Sequence, residues 1–435
     1  MIPTKRFWLL VALGIPLAMV AGASGSIWVI YAYNAFLLIA GYVTLRLGPD
    51  PKSITVRRRF DPVLSVRVAN KVDLRVTNDG VEPILMRLRD ESPPSFAASQ
   101  REFSVSLQPG EERSYSYQIT PPERGSDFFR GTYLRLECPL GLVVRQAKLF
   151  NEEPVRVYPN VLALREFDLL RQKGKLREIG IRISRIRGLG SDFESLRDYG
   201  EGDDYRKIDW KASARRDKLI VRQFEQERNQ PVVLCIDVGR KMLSEVNGVT
   251  KLDLVLDSLL MLTHAASVAG DFVGLLVYSD RVKRYIPPRK GRNQVGFIIE
   301  AIHDLVAEPV ESDPAAAFAY LATRWKRRSL VVAFADAEDG EDAKNLSMAF
   351  GSVARRNVAL LARIGDPRLN ELVSADTTDL DAFYRRAVAL QLVNERKQAG
   401  SVLSAVGIHN LEAEPQDLAA ALVSFYFMVK EKSMI

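Results

Sequence analysis

Two aspartates stand where an apolar run ends: Asp237 in "CIDVGRK" and Asp336 in "AFADAED". Paired carboxylates at neighbouring strand ends suit a hard cation such as Mg²⁺, which takes oxygen ligands. A second concentration of chemistry lies upstream, in "LRDYGEGDDYRKIDWKASARR" at 196–216. It offers Arg197, Asp203, Asp204, Arg206, Asp209, Trp210 and Arg215. Arginine forks hold carboxylates or phosphates. Exposed ion pairs are worth only ~0–1 kcal/mol each, so this density suits a binding surface better than it suits stability. Internal pairing that locks the segment down is the structural alternative. The four-residue spacings Lys207–Lys211 and Asp209–Ser213 predict a short helix over 204–214. "GEGDD" would supply its turn and carboxylate cap, and Trp210 and Ile208 would anchor it on the body that follows.

Several chemistries lack their residues. No G-x-x-x-x-G-K-[ST] loop exists for nucleotide phosphates. The three histidines, His264, His303 and His409, have no metal-ligand spacing. Cys138 and Cys235 cannot form a disulfide framework or a thiolate zinc site by themselves. Cys235, inside "VVLCIDV", reads as a small buried side chain. No nucleophile–base pair is visible. The competing enzymatic reading is therefore a metal-dependent hydrolase using Asp237 and Asp336 with Asp203 or Asp204. A net charge of +7 over 435 residues is mildly basic. It is compatible with an anionic membrane surface and argues little for nucleic acid. The basic stretch 161–190 lacks the aromatic interleaving of a single-strand site. It reads as a solvated linker, or as a partner for the acids of 198–209, with contact to anionic lipid as its functional alternative. No specific nucleic acid is expected.

The elements that must position these groups follow from patterning. From 231 to 435 apolar strand-like runs ("VVLCIDV", "FVGLLVYS", "SLVVAFAD", "VALLARI") alternate with helical periodicity. Non-alternating apolar strands are those of a parallel sheet buried on both faces, and the architecture expected is a doubly wound α/β sheet. Sites in such folds sit at the carboxyl ends of the strands. Residues 52–160 alternate with period two between Asn-Asp-Gly, Pro-Pro and Pro-Gly-Glu breaks, which predicts a β-sandwich of immunoglobulin-like type. "CPLGL" marks a turn between its strands.

At the N-terminus, Phe7–Ala23 and Ile27–Leu45 are both uncharged. Each falls within the ~17–25 residues that cross a bilayer core. They predict a transmembrane helical hairpin, 1–48. A cleaved leader ending at "AGA" is the alternative. Lys5 and Arg6 before the first span, and Arg46, Lys52, Arg57, Arg58 and Arg59 after the second, put both ends on the cytoplasmic side. The expected organisation is anchor 1–48, sandwich 52–160, connector 161–190, charged segment 191–230 and α/β domain 231–435. The chain would be multi-pass in the inner, cytoplasmic membrane, with its main body in the cytoplasm.

Two resemblances bear on function. The layout of 231–435 resembles a von Willebrand factor A domain. The adhesion site of that family uses Asp-x-Ser-x-Ser after the first strand, a Thr from a later loop and a second Asp. Asp237 and Asp336 match the aspartates, while Gly239 and Lys241 stand at the serine positions. Ser312 and Asp313 lie near the Thr position. Lys241 could set its ammonium between the carboxylates in place of the cation. The run Phe193–Arg228 resembles the signature of the domain-of-unknown-function-58 family, F-x-x-L-R-x-Y-x-x-G-D-D-x-R-x-I-D-W-x-x-S-A-R. The resemblance implies partnership with a MoxR-type AAA+ ATPase in assembling or activating client proteins. It points to an adaptor rather than an enzyme.

Overall fold

Alternating inward and outward side chains in the first 160 residues produce sheets, and continuous apolar runs after residue 230 produce a sheet covered on both faces. The computed structural model describes residues 2–24, 27–173, 175–181, 192–200, 205, 208–225, 229–337, 340–374, 379–432 and 434. The chain divides into two units, Met1–Tyr158 and Pro159–Ile435.

In the first unit, helix Lys5–Ser24 precedes helix Trp28–Arg46. Its stretch Lys5–Ala23 is long and apolar enough to cross a membrane, whereas Trp28–Thr44 is an apolar helix of shorter reach. Trp8, Leu9, Met19, Trp28 and Leu38 are exposed. The two helices meet where the Tyr33 hydroxyl donates to the Leu10 carbonyl at 2.5 Å. Gly14 leaves room for that ring, since a Cβ there would lie 3.0 Å from it.

The rest of the unit is rich in sheet. One sheet orders Ile2–Pro3, Val143–Leu149, Gly131–Glu137, Ile84–Glu91 and Glu102–Leu107. A second orders Ile54–Phe60, Asn70–Asn78, Glu112–Thr120 and Ala97–Ala98. Leu74 and Val76 from one share a core with Met86, Leu88 and Leu136 from the other. "CPLGL" forms a tight turn in which Leu140 takes φ 67°. The Thr4 hydroxyl donates to the Gly141 carbonyl at 2.7 Å, so the turn holds the start of the first helix. Gly48, just past the second helix, backs onto Cys138: a Cβ there would meet Sγ at 2.7 Å.

Arg58 departs from its expected role as a membrane-flanking cation. Alternation along Ile54–Phe60 turns Arg57 and Arg59 outward and Arg58 inward. There it pairs with Asp90 at 2.5 Å, both side chains fully buried, and lies over the Phe129 ring. Its charge is spent inside the fold.

The second unit holds a six-stranded sheet in the order Val282–Arg289, Phe272–Tyr278, Pro231–Asp237, Leu330–Phe334, Val358–Ile364, Ile408–Ala413. All neighbours are parallel except the edge strand Val282–Arg289. Alternate residues face opposite layers. Val232, Leu234 and Ile236 pack with helices Lys251–Val268, Arg292–Ile302 and Leu418–Glu431. Val233 and Cys235 pack with Pro314–Arg324, Gly340–Ala354 and Leu380–Ala405. The strand order turns back between Pro231–Asp237 and Leu330–Phe334. A crevice opens at such a switch point, outside the carboxyl ends of the strands.

The connector is not a separate linker as far as it is described. Helix Leu162–Gln172 carries Phe167, the turn Leu176–Ile179 carries Leu176, and Ile181 follows just after it, all in a small core with Ala265 and Val423. The apolar face of the helix overrode its basic composition. Arg171 and Lys175 pair locally with Asp168 and Glu178. Residues 182–191, with Arg182, Arg185 and Arg187, lie outside the described residues.

Candidate functional site: a strand-end cleft and a capped signature segment

The crevice at the switch point is a small cleft of about 140 Å³ lined by Asp237, Lys241, Tyr278, Ser312, Asp336 and Asp342, among others. Parallel pairing sets Asp237 opposite Tyr278 at the strand ends. Asp237 is nearly buried. Its Oδ1 accepts from the Gly239 amide at 2.8 Å and from the Ser312 hydroxyl. Burial pushes its carboxyl above the usual range, against the opposing pull of those hydrogen bonds and of Lys241.

The loop carrying Ser312 explains Gly239. A Cβ at 239 would fall 2.0 Å from Ser312 Oγ and 2.9 Å from the Val310 carbonyl. The glycine is needed for space, since its φ of −80° suits any residue. The hydroxyl beside Asp237 therefore comes from the 310–313 loop and not from position 239. Asp313 has a different job: its carboxylate accepts from the Ala316 amide and caps helix Pro314–Arg324.

Asp336 is held by a cation. Lys251 Nζ lies 2.5 Å from its Oδ2, and each side chain is 8% exposed. Lys241 does not bridge the two aspartates as the sequence suggested. It pairs with Asp342 at 2.5 Å, because the helix Gly340–Ala354 brings that carboxylate over the 240–243 turn. Arg240 pairs with Glu311 at the rim, 2.6 Å away.

This donor set does not fit a Mg²⁺ ion shared by Asp237 and Asp336. One carboxylate carries an ammonium, the other is engaged by a hydroxyl and an amide, and positions 239 and 241 supply no hydroxyl. Among the described residues no three His, Cys, Asp or Glu side chains gather as a metal-holding group.

Tyr278 is the unusual member. Its ring is wholly buried against Phe318, and its hydroxyl has no hydrogen-bond partner among the described residues. Burial, with the nearby Asp237 charge, pushes the phenol well above its ordinary value. Cys235 is likewise buried, and its thiol is pushed up by that burial.

The signature segment is an antiparallel hairpin, Asp192–Asp198 with Ile220–Glu225, carrying a short helix Trp210–Arg216. The helix starts later than expected, and its cap is Asp209: that carboxylate accepts from the Ala212 amide at 3.0 Å. Asp203, Asp204 and Arg206, with Gly202, lie outside the described residues. Ser213 ties the helix to the hairpin. Its hydroxyl donates to the Asp209 carbonyl at 2.8 Å and accepts from the Ile220 amide at 2.9 Å. Asp217 closes the helix in the left-handed region, φ 55°.

Trp210 is not the anchor that its apolar bulk suggested. It is 68% exposed, and Tyr205 is 66% exposed. Burial falls instead to Ile220 and Val221, because the helix is held through its backbone and Ser213. Arg215 is exposed at the helix end. Arg197 lies in the first hairpin strand, opposite Val221.

Sequence reasoning missed Lys251, Tyr278 and Asp342. Only Lys251 left a signal: a lysine at the first position of a helix opposes the helix dipole, so it needs a carboxylate from elsewhere.

Comparison with known proteins finds a family model similar to this region. Residues 195–386 match the family model described as "Protein of unknown function DUF58". An uncharacterized protein of Mycobacterium tuberculosis, Rv1480, is 28% identical over 195 residues, covering 44% of this chain and 61% of its own length. The uncharacterized protein YeaD of Bacillus subtilis is 26% identical over 230 residues, 51% of this chain and 56% of its own. The chain thus spans less than two thirds of the curated relatives it matches. Among solved structures, BatB from Bacteroides thetaiotaomicron aligns with 47% of this chain and 100% of its own at 11% identity and a TM-score of 0.30. A CARDB domain from Pyrococcus furiosus aligns with 25% of this chain and 89% of its own at 19% identity and a TM-score of 0.18. Likenesses at such scores carry no weight for the fold. The capped helix, the strand-end cleft and all of the hairpin except its first three residues fall within 195–386, the region that matches the DUF58 family model.

Proposed function

We propose that the chain is a membrane-anchored interaction protein whose α/β unit docks a protein partner through the signature hairpin and its helix. The observation that carries this reading is the exposure of Trp210 on a helix whose cap and Ser213 are already committed to holding it in place. A tryptophan left in solvent on a fixed support, with Tyr205 and Arg215 in the same segment, has the composition of an interface hot spot. The internally paired cleft supports the same reading, because its charged groups are engaged with one another.

The finer parts of the reading are these. The two apolar helices form a two-span anchor with the bulk of the chain in the cytoplasm. The sheet-rich region is an immunoglobulin-like spacer. The α/β unit is a von Willebrand factor A-like domain with a metal-free adhesion site. The partner is a MoxR-type AAA+ ATPase or its client.

The test is purification of the full-length chain from native membranes in mild detergent, with and without ATP, followed by identification of what accompanies it. An ATPase retained in a nucleotide-dependent way, and lost with Trp210→Ala, is the expected result. No retained protein under conditions that keep weak complexes, or equal retention by the variant, would overturn the docking assignment.

A further inference from the structure

The opposite edge of the sheet carries a second feature. At the amino ends of strands Leu330–Phe334 and Val358–Ile364 lies a cavity of about 490 Å³, larger than the strand-end cleft. Its size is that of a small-molecule site, ~300–1,000 Å³. Lys326, Arg327, Arg355 and Arg356 line it, and among the described residues no acidic one does. Among the described residues none of these four cations has an acidic partner. Arg327 instead lies over the Phe272 ring, 5.2 Å from its centroid.

The floor beneath them is fixed. The Trp325 indole N–H donates to the Ser329 hydroxyl at 2.7 Å. The Ser329 amide donates to Asn357 Oδ1 at 3.0 Å. Asn357 Nδ2 donates to the Val353 carbonyl at 2.9 Å. These bonds join the two loops that carry the cations, 325–328 and 355–357, into one support. Leu321 and Trp325 give the cavity an apolar side.

The bland explanation is that basic residues complement helix ends. Helices Pro314–Arg324 and Gly340–Ala354 do finish here. Each carboxyl end contributes roughly half a negative charge, about one in total. Four cations exceed that severalfold, so most of their positive charge has no counterpart among the described residues. Arginine forks match the planar oxygen edges of carboxylate and phosphate. A single carboxylate would leave the charge largely unmet, whereas a phosphate group brings up to two negative charges and three acceptor oxygens.

We propose that this cavity binds a phosphate-bearing anion, through Arg355 and Arg356 from one loop and Lys326 and Arg327 from the other. The same chemistry is offered by a phospholipid head group and by a soluble phosphate compound. The site stands apart from the docking surface proposed above and does not depend on it.

Hydrogen exchange of the full chain in phosphatidylcholine nanodiscs tests it. One arm adds millimolar inorganic pyrophosphate; the other replaces part of the lipid with phosphatidic acid. Protection of the amides of 325–329 and 355–357 is expected in at least one arm, and the arm that shows it names the source. The variant R355Q/R356Q should need at least ~10-fold more anion for the same protection. The variant R57Q/R59Q removes the same charge from an exposed strand and should behave as the parent. Thermal melts of both variants report folding. Absence of protection in both arms overturns the proposal, and so does equal loss in the two variants, which would mean only a general response to net charge.

Discussion

Lys251 and Asp336 set the charge balance of the cleft. Breaking a buried pair from one side leaves an uncompensated charge, at a cost of ~3–5 kcal/mol. Lys251→Met is therefore expected to destabilise the second unit by about that much, read by denaturant melts. The double variant K251M/D336L should recover most of the loss; a double variant as unstable as the single would show that the pair is not the cause. Tyr278 predicts the opposite sign. Its buried hydroxyl lacks a partner among the described residues, and leaving such a group unsatisfied costs ~1–3 kcal/mol. Tyr278→Phe should leave the melting temperature unchanged or raised, and a clear fall would reveal a partner for the hydroxyl. Asp237 makes stability depend on pH. Its folded pKa is raised above the ordinary 3.8 by burial, so the folded state favours the protonated form. That contribution is fully present below the unfolded pKa and is lost as pH rises through the folded one. Asp237→Asn should therefore gain stability relative to the parent as pH rises from about 4 to neutrality, and parallel pH profiles for the two proteins would refute this.

At the scale of elements, the signature helix depends on Asp209. N-caps of this kind are worth ~0.5–2 kcal/mol, and a seven-residue helix has little else of its own, because nucleation is costly. Asp209→Ala should speed hydrogen exchange at the Ala212 amide while leaving the sheet strand Pro231–Asp237 protected. Trp210→Ala should leave exchange at both places unchanged, since the ring is exposed, yet it should weaken partner association by ~2 kcal/mol or more if this residue is a hot spot. Together the two variants separate support from contact.

At the scale of the molecule, the division after Tyr158 puts each unit on its own core. Residues 159–435 keep all six strands and both helical layers, so this piece is expected to be expressed without detergent and to melt cooperatively. Residues 1–158 carry Lys5–Ala23 and should partition with membranes. A fragment 159–435 that stays unfolded would show that the division is geometric only.

The short, β-branched apolar run "VVLCIDV" reads as a strand buried on both faces, which placed Asp237 at a carboxyl edge. Period-two alternation likewise called out the sheets of the first unit, and uncharged length the N-terminal helix. Local pattern determines these because burial is set by which face each side chain takes. What joins distant segments was not legible. Lys251 reaches Asp336 across 85 positions, and Ser312 reaches Asp237 across 75. Arg58 looked like a membrane flank until strand pairing turned it inward onto Asp90, and Trp210 looked like an anchor until Ser213 proved to hold the helix. A charge finds its partner through the order of strands and the course of loops. That order follows from the packing of the whole unit, so only the tertiary structure decided which carboxylates are satisfied, which cations remain unpaired and which aromatic ring faces solvent.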